Sequence, residues 1–102
     1  GYGASATSTT LIYHYNLNKY IDYLVDDFKA KINLFSPGYK IPVYESKKIE
    51  KNLPDFTIIL AWRYAIKIIK NNITYLKKGG KFVLPLTKIK IITINNYKKF
   101  LN

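Results

Sequence analysis

Two glycines near the start of the chain are the first residues able to hold a ligand. Residues 1–5, GYGAS, predict a tight turn that leads into a helix with Ser5 or Thr7 as its N-cap. Glycine lets a backbone approach a ligand closely, and the free N–H groups of a helix N-terminus attract anions. A dinucleotide fingerprint has its third glycine where Ala6 stands, and alanine is tolerated there. The segment predicts either a phosphate contact or a purely structural turn.

A pair of carboxylates follows the apolar residues 21–25. Asp26 and Asp27 stand where a strand is predicted to end. In a dinucleotide-binding fold, an acidic residue near this place binds a ribose hydroxyl. The alternative is a solvated strand end that caps a turn. The other carboxylates form no evident pair for acid–base chemistry.

The aromatic and basic segment Trp62-Arg63-Tyr64 follows the apolar run 56–61 directly. Ligands of open α/β sheets bind beyond the carboxyl ends of the strands, so this junction lies at the expected edge. Arg63 is suited to grip a phosphate through two parallel hydrogen bonds, and Trp62 or Tyr64 to stack on a base. Trp62 also fits the apolar stripe of a following helix, and this core interpretation is the favoured one for Trp62.

His14 is the single histidine of the chain. It can serve as a general base or ligand, or simply pack within a helix among aromatic residues. The sequence holds no cysteine, so disulfides, thiolate metal sites and a cysteine nucleophile are excluded. No stretch has metal-ligand spacing or a Walker loop. Accordingly, we predict neither a catalytic residue nor a metal site within this chain.

The charge of the chain is strongly positive, at +11 over 102 residues. Lys, Ile, Asn and Tyr, which all have A/T-rich codons, supply 50 of those residues. Surfaces that bind nucleic acid usually concentrate arginine, whereas Arg63 is the single arginine here and the lysines are spread along the chain. This pattern favours a compositional bias over a polyanion-binding surface. The absence of a long apolar run or a signal-peptide pattern in this sequence predicts a cytoplasmic protein without membrane contact.

The elements that must position these residues alternate along the chain. Short strands are predicted at 21–25, 41–44, 56–61, 81–86 and 89–94, with a turn at 36–38. A helix is predicted from about 62 to 77, because apolar residues recur there at helical spacing, and Gly79-Gly80 ends it. A short terminal helix is expected at 97–101. The pattern predicts one α/β domain, a Rossmann-like three-layer sandwich with a mostly parallel sheet that lacks its first strand in this sequence. The predicted apolar stripe of the long helix comprises Trp62, Ala65, Ile66, Ile69, Ile73 and Leu76.

Four motifs in order carry a resemblance to a known family. They are GYGASATSTTLIYH, then VDD with FSPGYKIPV, then LPDFTIILAWRYA, then GGKFVLPL. In order and spacing they resemble the C-terminal domain of bacterial C-methyltransferases, enzymes that act mainly on nucleotide-linked deoxysugars. The resemblance covers residues 1–94 and leaves 95–102 as an unmatched tail.

The resemblance implies a substrate-binding role for this domain. A preceding domain of the same polypeptide would bind S-adenosylmethionine and carry most catalytic residues, and a small domain before it would bind zinc. The nucleotide-sugar would lie between the S-adenosylmethionine domain and this one, so the isolated chain is expected to be inactive and to hold no cofactor. Two alternatives stay open: a stand-alone Rossmann-type nucleotide or dinucleotide binder, and a basic nucleic-acid module. The substrate-binding residues expected from the motif positions are Gly1, Tyr2, Gly3, Ala4, Ser5, Ser36, Pro37, Gly38, Trp62 and Arg63.

Overall fold

The structure is a computed structural model that describes residues 1–36, 40–85 and 89–101. The α-helices are α1 (Ala6–His14), α2 (Lys48–Asn52), α3 (Ala65–Asn71) and α4 (Ile73–Lys77). The strands are β1 (Leu24–Asp26), β2 (Val43–Glu45), β3 (Thr57–Ile58), β4 (Phe82–Pro85) and β5 (Ile89–Ile92). Short 3-10 turns lie at Leu17–Lys19, Lys29–Lys31, Trp62–Tyr64 and Tyr97–Phe100.

Parallel pairing dominates the strands. β1 and β2 pair in parallel with Leu24 opposite Val43, and β3 and β4 pair in parallel with Thr57 opposite Phe82. β5 runs antiparallel to β4. The predicted parallel pairing of segments 56–61 and 81–86 is therefore confirmed, and the last strand departs from the parallel pattern.

Residues 1–3 lie between the two strand groups and join them. Tyr2 forms parallel bridges to Val25 on one side and to Ile59 on the other. The Tyr2 N–H donates to the Ile58 carbonyl at 2.7 Å, and the Gly3 N–H donates to the Val25 carbonyl at 2.8 Å. The glycine segment is consequently fixed by backbone hydrogen bonds on both sides.

The helix predicted over 62–77 is divided in the structure. It begins as the 3-10 turn Trp62–Tyr64, continues as α3, and is interrupted at Asn72 before α4. Asn72 is buried, and its side-chain amide donates to the Ile68 carbonyl at 2.7 Å and to the Tyr2 hydroxyl at 3.2 Å. The assignment of Ile66 to the core is wrong, because the buried face of α3 runs through Ile68 and Ile69 and leaves Ile66 45% exposed. The buried residues of this region are Ile68, Ile69, Asn72, Tyr75 and Leu76.

Tyr75 of α4 holds this helix against β3 and the residues that precede it. Its hydroxyl accepts a hydrogen bond from the Thr57 hydroxyl at 2.9 Å and donates to the Pro54 carbonyl at 2.8 Å. Its ring lies directly over Gly80, where no side chain has room. Gly79 has a φ of +96°, which confirms the predicted helix stop.

Mixed helices and parallel strands confirm the α/β class. Two clusters form the core, one centred on β3, β4, α3 and α4 and the other on α1, β1 and β2. The tail forms a single 3-10 turn where a short helix was predicted. No helix among the described residues is long and apolar enough to cross a membrane.

Candidate functional site

A cleft of about 760 Å³ opens where the glycine segment, the end of β1 and the turn Trp62–Tyr64 meet. Clefts that hold small ligands occupy about 300–1,000 Å³. The expected convergence of the glycine turn and the Trp62-Arg63 junction is confirmed. The cleft is lined by Tyr2, Gly3, Ala4, Ser5, Thr7, Asp26, Asp27, Phe28, Lys31, Ala61, Trp62, Arg63, Tyr64, Lys67, Ile68 and Asn71.

The glycine turn leads directly into α1 at the edge of the cleft. Gly3 has a φ of +113°, in the left-handed region that favours glycine. Ser5 is the N-cap of α1, as predicted, and its hydroxyl accepts from the Ser8 N–H at 3.3 Å. Since Ala4, Ser5 and Thr7 all line the cleft, α1 begins at the cleft wall.

The two acidic residues at the end of β1 have different partners. The Asp26 carboxylate accepts from the Ala4 N–H and from the Phe28 N–H, both at 2.8 Å. It thus ties the glycine turn to the chain after β1, which supports the turn-cap interpretation for Asp26. The Asp27 carboxylate instead accepts from the Tyr2 hydroxyl, which lies 2.9 Å from each of its oxygens.

Tyr2 forms part of the cleft wall and is almost wholly buried. Its ring packs edge-on against Phe82 with the ring centroids 6.4 Å apart. Burial, together with the neighbouring Asp27 carboxylate, raises the pKa of Tyr2 to about 12, because the phenolate is poorly solvated there. The Tyr2 hydroxyl therefore stays protonated at neutral pH and donates a hydrogen bond to the Asp27 carboxylate.

Basic and aromatic side chains also line the cleft. The Arg63 guanidinium lies 5.3 Å from the centre of the Trp62 ring, and Lys31 and Lys67 line the same cleft. Phe28 and Tyr64 are 62% and 65% exposed. Positive charge beside exposed rings suits a ligand that is both anionic and aromatic.

Other predicted residues lie away from this cleft. The backbone of Gly1 pairs with Val25, and Gly1 does not line the cleft. Ser36 is buried, and its hydroxyl accepts from the Ile41 N–H at 3.2 Å. Pro37 and Gly38 lie outside the described residues. His14 ends α1 on the exposed surface beside Tyr15.

The sequence did not predict several of the residues that line the cleft. Phe28, Lys31 and Lys67 carry no motif, and only the folded chain shows that they face the same space. Asn72 donates a hydrogen bond to Tyr2 and does not itself line the cleft. One feature of the sequence marks it: asparagine is a poor residue for a helix interior. That signal indicated a break in the helix without naming its partner.

Comparison with known proteins identifies relatives of the chain. Residues 1–87 match the family described as the C-methyltransferase C-terminal domain. The chain is 31% identical over 94 residues to the C-methyltransferase NovU of Streptomyces niveus. That match covers 91% of this chain and 22% of NovU, so the chain spans less than a quarter of the relative's length.

Proposed function

The chain belongs to the C-methyltransferase C-terminal domain family, and from that membership we propose that it binds the substrate of a larger methyltransferase. The substrate proposed is a nucleotide-linked sugar, and the methyl donor is S-adenosylmethionine. Donor binding and methyl transfer are assigned to other domains of the same polypeptide, along with a zinc site. This division of labour agrees with the small share of NovU that the chain covers.

The cleft is the single observation that carries the proposal. A nucleotide diphosphate needs N–H donors and positive charge, which the start of α1, Arg63 and Lys67 offer along one cleft. A base needs a flat apolar surface, and the exposed rings of Phe28 and Tyr64 border the same space. These complementary features support placing the nucleotide part of the substrate here.

The sheet supports a Rossmann-like assignment within the same proposal. Residues 1–3 pair in parallel on both sides, as the end of a central strand would. The glycine turn and α1 then follow that strand end, and the cleft lies at the same edge. This is the position at which ligands bind in open α/β sheets.

Calorimetry on the full 102-residue chain tests the proposal. The ligands are ADP, GDP, CDP, UDP and dTDP, each alone and as its glucose conjugate. We expect at least one to bind with micromolar affinity. Arg63→Ala should weaken that binding about ten- to a hundredfold, because it removes a charge-assisted hydrogen bond of about 1.5–3 kcal/mol.

The matched control is Lys98→Ala, which removes an equal charge from the exposed tail. Its affinity should equal that of the unmodified chain. Equal losses in the two variants would transfer the binding to the general basic surface and contradict the assignment to the cleft. Failure of every nucleotide to bind would overturn the proposed function.

A further inference from the structure

We propose that Asp27, positioned by Tyr2 and Asn72, accepts a hydrogen bond from a sugar hydroxyl of the ligand, while Asp26 serves only to hold the glycine turn. This inference rests on the proposed function and deepens it. It gives a ligand-binding role to Asp27 and a structural role to Asp26, two adjacent carboxylates that the sequence alone does not distinguish.

Asp26 is already committed to the backbone. One of its oxygens accepts from the Ala4 N–H and the other from the Phe28 N–H, both at 2.8 Å. Both contacts define the local course of the chain, so a ligand hydroxyl would have to compete with them. Asp26 is thereby a structural residue of the cleft wall.

Asp27 has acceptor capacity to spare. An ionised carboxylate offers about four acceptor positions on its two oxygens. Among the residues that the structure describes, the hydrogen-bond partner of Asp27 is the Tyr2 hydroxyl, which lies 2.9 Å from both oxygens. The side chain is exposed and lines the cleft, so its remaining lone pairs are within reach of a ligand.

The direction of the hydrogen bonds holds Asp27 in its acceptor role. The Asn72 amide donates one N–H to the Ile68 carbonyl at 2.7 Å and another to the Tyr2 oxygen at 3.2 Å. Since the Tyr2 oxygen accepts from Asn72, its own proton is directed at Asp27. Tyr2 and Asn72 are 2% and 4% exposed, so water does not replace these contacts. Asp27 is thus presented to the cleft as an oriented acceptor.

The ligand group that fits an oriented carboxylate is a hydroxyl, or two adjacent hydroxyls. In dinucleotide-binding folds, an acidic residue after the second strand accepts from the ribose in this way. A nucleotide-sugar has two sources of such hydroxyls, the ribose and the hexose. Both share the chemistry that Asp27 would recognise, and the experiment below separates them.

The experiment measures discrimination on the full chain by calorimetry. The probes are the nucleoside diphosphate that binds tightest in the panel above, its analogue without ribose hydroxyls, and its glucose conjugate. If the ribose is the partner, its hydroxyls should strengthen binding to the unmodified chain about tenfold or more. Asp27→Ala should reduce that ratio to about one. Tyr2→Phe, which keeps the ring and removes the hydroxyl, should lower the same ratio.

Asp26→Ala is the matched control. It should lower the melting temperature and weaken all probes together, with the ratio preserved. If the hexose is the partner, Asp27→Ala should instead abolish the gain in affinity that the glucose conjugate shows over the diphosphate. A merely structural Asp27 would weaken every probe equally and overturn the inference. Binding of no probe at all would overturn the proposed function itself, a result distinct from binding without discrimination.

Discussion

Gly3 lies so close to Ala61 that a Cβ placed on Gly3 would stand 2.7 Å from the Ala61 Cβ. The Ala61 N–H also donates to the Tyr2 carbonyl at 3.1 Å, which brings the end of the strand segment 56–61 against the glycine turn. Trp62 and Arg63 follow directly, so this contact sets how near these two residues come to the start of α1. Cleft geometry and chain packing are therefore coupled at Gly3.

Replacing Gly3 by Val should destabilise the fold strongly. The variant forces a branched side chain into a positive φ and against the backbone and side chain of Ala61. Strain of this kind costs about 1–3 kcal/mol, and the steric contact adds to it. The free energy of unfolding in urea measures the loss.

Gly79→Val is the matched control for that variant. Gly79 also has a positive φ, of +96°, but no atom lies within 4 Å of a Cβ placed there. It should show the backbone cost alone, and so a smaller loss than Gly3→Val. Equal losses at the two glycines would contradict a packing role for Gly3.

Replacing either of two isoleucines of α3 by aspartate should have very different effects on stability. Ile69 is 1% exposed, so Ile69→Asp buries an unpaired carboxylate at a cost of several kcal/mol. Against a typical stability of about 5–15 kcal/mol, most of the chain should then unfold. Ile66 is 45% exposed, and Ile66→Asp should leave the circular dichroism spectrum and melting temperature almost unchanged. A normally folded Ile69→Asp variant would refute the packing described for α3.

The same helix shows where sequence reasoning succeeds and where it stops. The strand, helix and strand of residues 56–86 were predictable, because buried-strand composition and helical spacing are local signals. The low helix propensity of Asn72 indicates a break there, but its partner Tyr2, 70 residues away in sequence, is visible only in the folded chain. Ile66 lies within α3 itself, and its 45% exposure shows that an apolar residue at helical spacing can lie beside the buried face rather than on it.

The cleft residues also divide into those that the sequence predicts and those that only the folded chain shows. Gly3, Trp62 and Arg63 were correctly brought together, because parallel strands place their carboxyl ends at one edge of a sheet. Ser36 was grouped with them on motif position alone, and the structure uses it to hold Ile41. Asp26 and Asp27 are adjacent residues of the same type, so the sequence does not distinguish them. Only the folded chain shows that they have different hydrogen-bond partners.

The isolated chain should not bind S-adenosylmethionine. The sequence offers one glycine turn followed by an acidic strand end, and the proposed function assigns it to the substrate. Calorimetry with S-adenosylmethionine should give no heat of binding under conditions where the tightest nucleotide ligand binds. Micromolar affinity for S-adenosylmethionine would refute the assignment of the donor site to another domain.

Tyr2 should make the stability of the fold sensitive to high pH. Its pKa is raised from 10.0 to about 12, so the folded state retains a proton that the unfolded state releases first. The stabilisation is fully present below pH 10.0 and is lost as the pH rises towards about 12. Its size is at most about 2–3 kcal/mol, since each unit of pKa difference corresponds to about 1.4 kcal/mol.

The measurement is the free energy of unfolding of the unmodified chain and of Tyr2→Phe between pH 9 and about pH 12. The unmodified chain should lose more stability over this range, because Phe has no proton to release. The pKa of Tyr75 is also raised, chiefly by burial, but Tyr75 is present in both proteins and its contribution cancels in the difference. Parallel pH profiles for the two proteins would show that Tyr2 ionises as freely in the folded chain as in the unfolded one, contrary to its buried contact with Asp27.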